Sequence, residues 1–234
     1  MLRTRSLCRF ALLPLLVALL FTPHIAHAMG EKPPAPTKLR VKMVEIKNTK
    51  VRLPIPDGYE EMRREDHPGY YSWMVSVTLD ETMQPLAYFI NSEDKALLQQ
   101  GKDVNLRYGF AFSDESFWDA VIWRNRMDGD VRQHFVEYIR DGCDGVNEIA
   151  RKENRELYDW NYIHSGKRSI AYYWLSKNKI LEEKYRRLRI GSYIVLDRKI
   201  VGVSLYIKVK DDDDIALLRA ITTSYLTAID QGRF

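Results

Sequence analysis

Two apolar-rich runs, YRRLRIGSYIVL (185–196) and KIVGVSLYIKV (199–209), flank the dipeptide Asp197-Arg198. Two strand-like segments separated by exactly two turn residues read as a long β-hairpin. The same alternation recurs upstream. LRVKMVEIK (39–47) puts Leu39, Val41 and Met43 on one side and Arg40 and Lys42 on the other, predicting a half-buried strand with a basic outer face. KVRLPIPDGYEEM predicts a short strand, Val51 to Ile55, then a Pro-Asp-Gly turn. In YYSWMVSVTL (70–79), Tyr71, Trp73, Val75, Val77 and Leu79 share a strand face. LAYFI (86–90), VNLRYGFAF (104–112) and RSIAYYWLS (168–176) complete the strands.

Helical signals fall between them. SEDKALLQQG predicts a short helix with Ser92 as cap, acids in the first turn and Gly101 as the stop. SDESFWDAVIWRNRM predicts another, capped by Ser113. A longer pattern runs through Val131, Phe135, Ile139, Val146 and Ile149 to Leu157, and Gly142 and Gly145 predict a kink or a break. Ile215, Leu218, Ile221, Thr222, Tyr225 and Ile229 recur at helical spacing to the end. The order of strands, helices, strands and a final helix is that of an α+β fold, a mainly antiparallel sheet with helices packed on it.

The N-terminus reads differently. Arg3, Arg5 and Arg9 precede the twelve-residue apolar run Phe10 to Phe21, and Ala26-His27-Ala28 follows. A basic start, a short apolar stretch and an A-x-A site make a secretory signal peptide over 1–28. A membrane span needs about 20 residues. A Pro-rich linker, 29–38, then leads to a single domain over 39–234. Removing three arginines leaves 33 basic against 32 acidic residues, where the whole chain has 36 against 32. That near-neutral balance gives no case for nucleic acid as a partner. Cys143 is left alone without a disulfide partner and reads as a small, partly buried side chain. The expected location is periplasmic or secreted, and the cleaved chain is not membrane-spanning.

No catalytic motif stands out: G-x-S-x-G, H-E-x-x-H and C-x-x-C are all missing from the sequence. The contiguous acids Asp211 to Asp214 lack the spacing of a calcium loop and read as a helix start. His134, Glu137, Asp141, Asp144 and Glu148 would form one helical stripe. Interleaved Arg140, Arg151 and Lys152 make it an ion-paired solvated face, so no metal or cofactor is assigned. Arg187 and Arg189 would project to one face of their strand, where charge is expected to protect a sheet edge. LYDWNYIHSGK (157–167) brings Tyr158, Trp160, Tyr162 and His164 into an expected loop. Such a loop either anchors a partner or flat ligand or folds back over the core. These four are the candidate binding residues.

The phrases VRLPIPDGYEEM (51–62), LAYFINSEDKALLQQGKDVNLRYGFAF (86–112) and KIVGVSLYIKVKDDDDIALLRAITTSYLTAID (199–230) resemble secreted bacterial proteins of the PsbP/Mog-like α/β/α sandwich class, which includes DcrB-type periplasmic proteins. The resemblance implies a non-catalytic accessory, chaperone-like or binding module, and carries over no active-site residue. The expected function is therefore an exported, soluble binding or accessory protein of the cell envelope, with a protein or envelope component as partner and an immunity- or inhibitor-like role as one concrete form. The alternatives are a periplasmic hydrolase using His164 or His67, and a metal-binding periplasmic protein.

Overall fold

A computed structural model describes residues 38–78, 82–102, 106–122, 124–154, 157–176 and 186–234, with the side chains of 77 and 78 left out. The assigned signal peptide, the linker up to residue 37 and residues 182–185 of the basic EEKYRRLR segment lie outside the described residues.

The predicted hairpin forms the centre of the molecule. β8 (Arg186–Leu196) and β9 (Lys199–Val209) pair along their full length. Asp197 and Arg198 adopt φ of 45° and 69°, the left-handed pair that a two-residue hairpin turn requires. On the β9 side the sheet continues through β5 (Tyr108–Asp114), β4 (Met83–Asn91) and β3 (Tyr59–Glu61). On the β8 side it continues through β7 (Ser169–Ser176) and β6 (Tyr158–Ser165). The order is β3-β4-β5-β9-β8-β7-β6, with every neighbouring pair antiparallel. A separate ribbon pairs β1 (Val41–Ile46) with β2 (Thr49–Pro54).

Period-2 alternation gives this sheet two apolar faces, and both are covered. Val201, Val203, Leu205 and Ile207 of β9 pack with Leu218, Tyr225, Leu226 and Ile229 of α4 (Asp212–Asp230), and with Val44, Ile46, Val51 and Leu53 of the ribbon. On the opposite face Phe110, Phe112, Tyr172, Tyr193 and Val195 meet α1 (Pro68–Thr78), α2 (Ser92–Gln99) and α3 (Gly129–Lys152) through Met74, Leu98, Phe135, Ile139 and Cys143. The fold is α+β, an antiparallel sheet between helical layers. No helix among the described residues is long and apolar enough to cross a membrane.

Several local expectations are overturned. Residues 70–79 were expected as a strand, but Pro68–Thr78 is helical. Pro68 supplies a preset first-turn φ, and Tyr70, Tyr71, Met74 and Val75 reach the core at helical spacing. The helix expected from Ser113 is one 3₁₀ turn, Glu115–Phe117, capped by Asp114. The chain beyond it is drawn to the hairpin turn, where Ile122 N donates to Arg198 O at 3.0 Å. The break expected at Gly142 and Gly145 does not occur: α3 runs as one helix from Gly129 to Lys152. Phe135, Ile139, Cys143, Asn147 and Ala150 form a buried line that bypasses both glycines, and packing outweighs about 1 kcal/mol of propensity at each. The buried face of β1 is the opposite of the one expected: Val44 and Ile46 are buried, while Val41 and Met43 are exposed. Apolar residues occupy both parities of that strand, and the pair facing Val51 and Leu53 wins. The α2 cap is one residue earlier than expected, Asn91 rather than Ser92, and Asp211 caps α4.

Candidate binding face

The hairpin turn fixes which side chains meet. Residues equidistant from Asp197-Arg198 face one another, so Arg189 lies opposite Tyr206. The neighbouring registers extend this pair into a row across five strands: Tyr108, Tyr206, Arg189, Trp174 and Trp160. A second row beside it holds Phe110, Ser204, Gly191, Tyr172 and Tyr162. Gly191 is required there, because a Cβ would stand 2.6 Å from Tyr172 Cζ. Both rows lie on the face that carries α1 and α3.

The first row is aromatic except at its centre. Tyr108 and Tyr206 stack with centroids 4.9 Å apart, and Trp73 of α1 meets Tyr108 edge-on at 5.1 Å. The Arg189 guanidinium carbon sits 5.7 Å from the Tyr206 centroid and 6.0 Å from that of Trp174, within cation–π range. Arg189 Nε and Nη2 donate to Ser204 Oγ at 3.2 and 3.1 Å. Guanidinium has five N–H donors, and no carboxylate bonds this one among the described residues. The titratable groups around it are the phenols of Tyr206, Tyr172 and Tyr193 and the Cys143 thiol. Burial pushes the hydroxyls of Tyr172 and Tyr193 up, and the Cys143 thiol up to about 11 despite the opposing pull of Arg189. The indole Nε1 of Trp174 is buried without an acceptor among the described residues. Arg189, Trp174, Tyr206 and Tyr108 are each half-buried.

Two of the four sequence candidates, Trp160 and Tyr162, end these rows. Residues 158–165 form an edge strand and not a loop, so the loop expectation is corrected. Trp160 Nε1 donates to Asp144 Oδ1 of α3 at 3.1 Å, and Tyr162 OH donates to Val136 O at 2.6 Å. Tyr158 exchanges two 2.9 Å backbone bonds with the Asn147 amide. A bulge between Tyr162 and His164 sends His164 elsewhere, to Asp230 Oδ2 of α4 at 2.8 Å.

Asp230 is a hub rather than the orienting member of a triad. It also accepts from Arg168 N at 2.6 Å and from Ser169 Oγ at 3.1 Å. Ser169 is fully buried and its hydroxyl points at the carboxylate, not at the imidazole. His67 accepts from Tyr70 N at the start of α1. Among the described residues, neither histidine bonds a hydroxyl or a thiol. The acidic stripe on α3 is exposed. Glu137 pairs with Gln133, Asp141 with Arg140, Asp144 with Trp160 and Glu148 with Lys152. No three metal-ligating side chains converge among the described residues. Asp211 accepts from the backbone N–H groups of Asp213 and Asp214, as a helix cap does.

Arg187 and Arg189 do share a face, but β8 lies between β9 and β7. Edge protection is therefore excluded as the reason for their charge. Sequence reading missed Tyr108, Trp174, Ser204 and Tyr206. The signal that could have found Tyr206 and Ser204 was the turn itself, since it sets the register of the whole hairpin.

No protein-family model matches the chain, and no curated protein matches it. Among solved structures, the Ran-binding protein Mog1p of Saccharomyces cerevisiae matches at 10% identity and a TM-score of 0.37, over 83% of this chain and 94% of the yeast one. The match is a Mog protein and not a bacterial PsbP- or DcrB-type one. A TM-score this low carries no argument about this chain, and Ran binding remains a property of the yeast protein.

Proposed function

We propose that the protein is an exported binding module of the cell envelope, periplasmic or secreted, that works without turnover and takes an acidic protein partner on its aromatic face. The observation that carries the reading is the row Tyr108–Tyr206–Arg189–Trp174–Trp160, aromatic at each side and cationic at the centre. Half-buried aromatic and arginine side chains are the residues that dominate protein interfaces. The Arg189 guanidinium, bonded by no carboxylate among the described residues, favours an acidic partner. The N-terminal pattern over residues 1–28 supports export. Occupying a partner's acidic surface is also how an immunity- or inhibitor-like protein would act.

The test is affinity capture from an envelope fraction with the purified protein, repeated with Trp160→Ala/Tyr162→Ala. Thermal melts establish that the variant is folded. A single partner, lost with the folded variant and displaced by raised salt, is the expected result. Capture of nothing, or of a partner that the variant retains at all salt concentrations, would refute the reading.

A further inference from the structure

We propose that Arg189 and Trp174 form a carboxylate-binding site, the point at which an acidic side chain of the protein partner is held. The inference rests on the binding reading above and specifies its chemistry. Two observations meet at adjacent positions of one row. The Arg189 guanidinium spends Nε and one Nη2 hydrogen on Ser204 Oγ. That leaves the Nη1–Nη2 end of the group, two parallel N–H bonds that match the two oxygens of a carboxylate. Its cross-strand neighbour Trp174 presents a buried indole N–H with no acceptor among the described residues. Buried donors are nearly always satisfied, and a guanidinium withdrawn from water without a counter-charge is destabilising. Donors without an acceptor among the described residues, on half-buried cross-strand neighbours, are complementary to an anion that arrives from outside.

The surroundings select the class of anion. The rings of Tyr206 and Trp174 flank the guanidinium at 5.7 and 6.0 Å, favouring a flat group carried on an apolar stem. Arg187 and Lys208, on the same face, already have interaction partners. The charge on offer is therefore that of one guanidinium, which suits a monoanionic carboxylate better than a phosphate dianion. A protein supplies such a group as glutamate or aspartate.

The experiment follows the Trp174 indole and Arg189 Nε–H resonances of the purified protein. Three probes are titrated: acetyl-Phe-Glu-amide, acetyl-Phe-Gln-amide and inorganic phosphate. Saturable shifts of both resonances with the glutamate peptide are expected, at an affinity roughly tenfold or more above that for the glutamine peptide. Arg189→Met should abolish them while melting at or above the wild-type temperature. Equal affinity for both peptides, stronger binding of phosphate, or no saturable shift would overturn the site. So would an Arg189→Met variant that melts well below wild type, because its guanidinium would then be paired within the fold. Capture of an envelope partner by Arg189→Met as strongly as by wild type refutes the carboxylate site and leaves the binding reading standing. Peptide shifts without any envelope partner refute the envelope reading and leave the site.

Discussion

Asp230→Ala should lower stability by about 3–5 kcal/mol, and the clasp around Asp230 explains why. One carboxylate at the end of α4 accepts from Arg168 N, His164 Nε2 and Ser169 Oγ at 2.6, 2.8 and 3.1 Å, and so ties that helix to the β6–β7 turn. A hydrogen bond to a charged group contributes about 1.5–3 kcal/mol. Three such bonds on one acceptor are not additive, and water entering the vacated space would rehydrate His164, which is 14% exposed, more readily than the fully buried Ser169. Asp230→Asn keeps an acceptor for Arg168 N and loses the charge, so it should cost about 1–2 kcal/mol. In a domain of this size the alanine variant would melt roughly 6–20 °C lower. Urea unfolding followed by tryptophan fluorescence should show the midpoint falling with an unchanged slope. An alanine variant within about 0.5 kcal/mol of wild type would refute the clasp and reopen a catalytic role for His164, Asp230 and Ser169.

Three further outcomes follow from the packing. Arg52 bonds Asp197 through its backbone N–H and its guanidinium, at 2.7 and 2.8 Å, and the side-chain bond holds the carboxyl below its ordinary range. Because the folded value is depressed, this stability is fully present above the unfolded carboxylate value near pH 4 and is lost as pH falls through the folded one. Arg52→Met should remove that part of the acid-side slope and cost about 1 kcal/mol, the half-exposed guanidinium being screened; an unchanged slope would count against the pair. Cys143, buried and pushed up to about 11 from a reference of 9.0, should carry about a hundredfold less thiolate at neutral pH than a free thiol, and labelling by a disulfide reagent before denaturation as fast as after it would contradict this. A Cβ on Gly202 would lie 2.1 Å from Phe112 Cζ. Gly202→Ala should therefore destabilise by about 1–3 kcal/mol, and a neutral denaturation curve would show that the ring moves freely.

The parts legible in the sequence were those where one local signal stood unopposed. The two-residue turn at Asp197-Arg198 set the central hairpin, and the Asp211–Asp214 run before Ile215 marked the start of the last helix. Reading failed where two periods overlap. Tyr71, Trp73 and Val75 alternate, but Tyr70, Tyr71, Met74 and Val75 also make a helical stripe, and only the tertiary contacts of Met74 choose between them. The 157–167 segment looked like a loop because its polar residues, Asp159, Asn161 and Ser165, are those of an edge strand with one open face. Of the site, the parity of Arg187 and Arg189 was visible, while their place at the centre of the sheet was not. No local pattern says which edge a distant strand will join, so Tyr108 and Trp174 could not be placed beside them.

The strand order also dictates the sequence of events in folding. β5 pairs on one side with β9, so Phe112 waits for Gly202, ninety positions downstream. Until residues 199–209 are in place, β3, β4 and β5 form a three-stranded patch with an open edge bearing Phe110 and Phe112, and β6, β7 and β8 form a second patch with its own open edge. Closing such separated partners is slow compared with forming local helices. A chain emerging N-terminus first would stay unfinished until residues 199–209 are made, exposed meanwhile to edge-to-edge aggregation. β9, the last strand made among the described residues, is the one both halves of the sheet require.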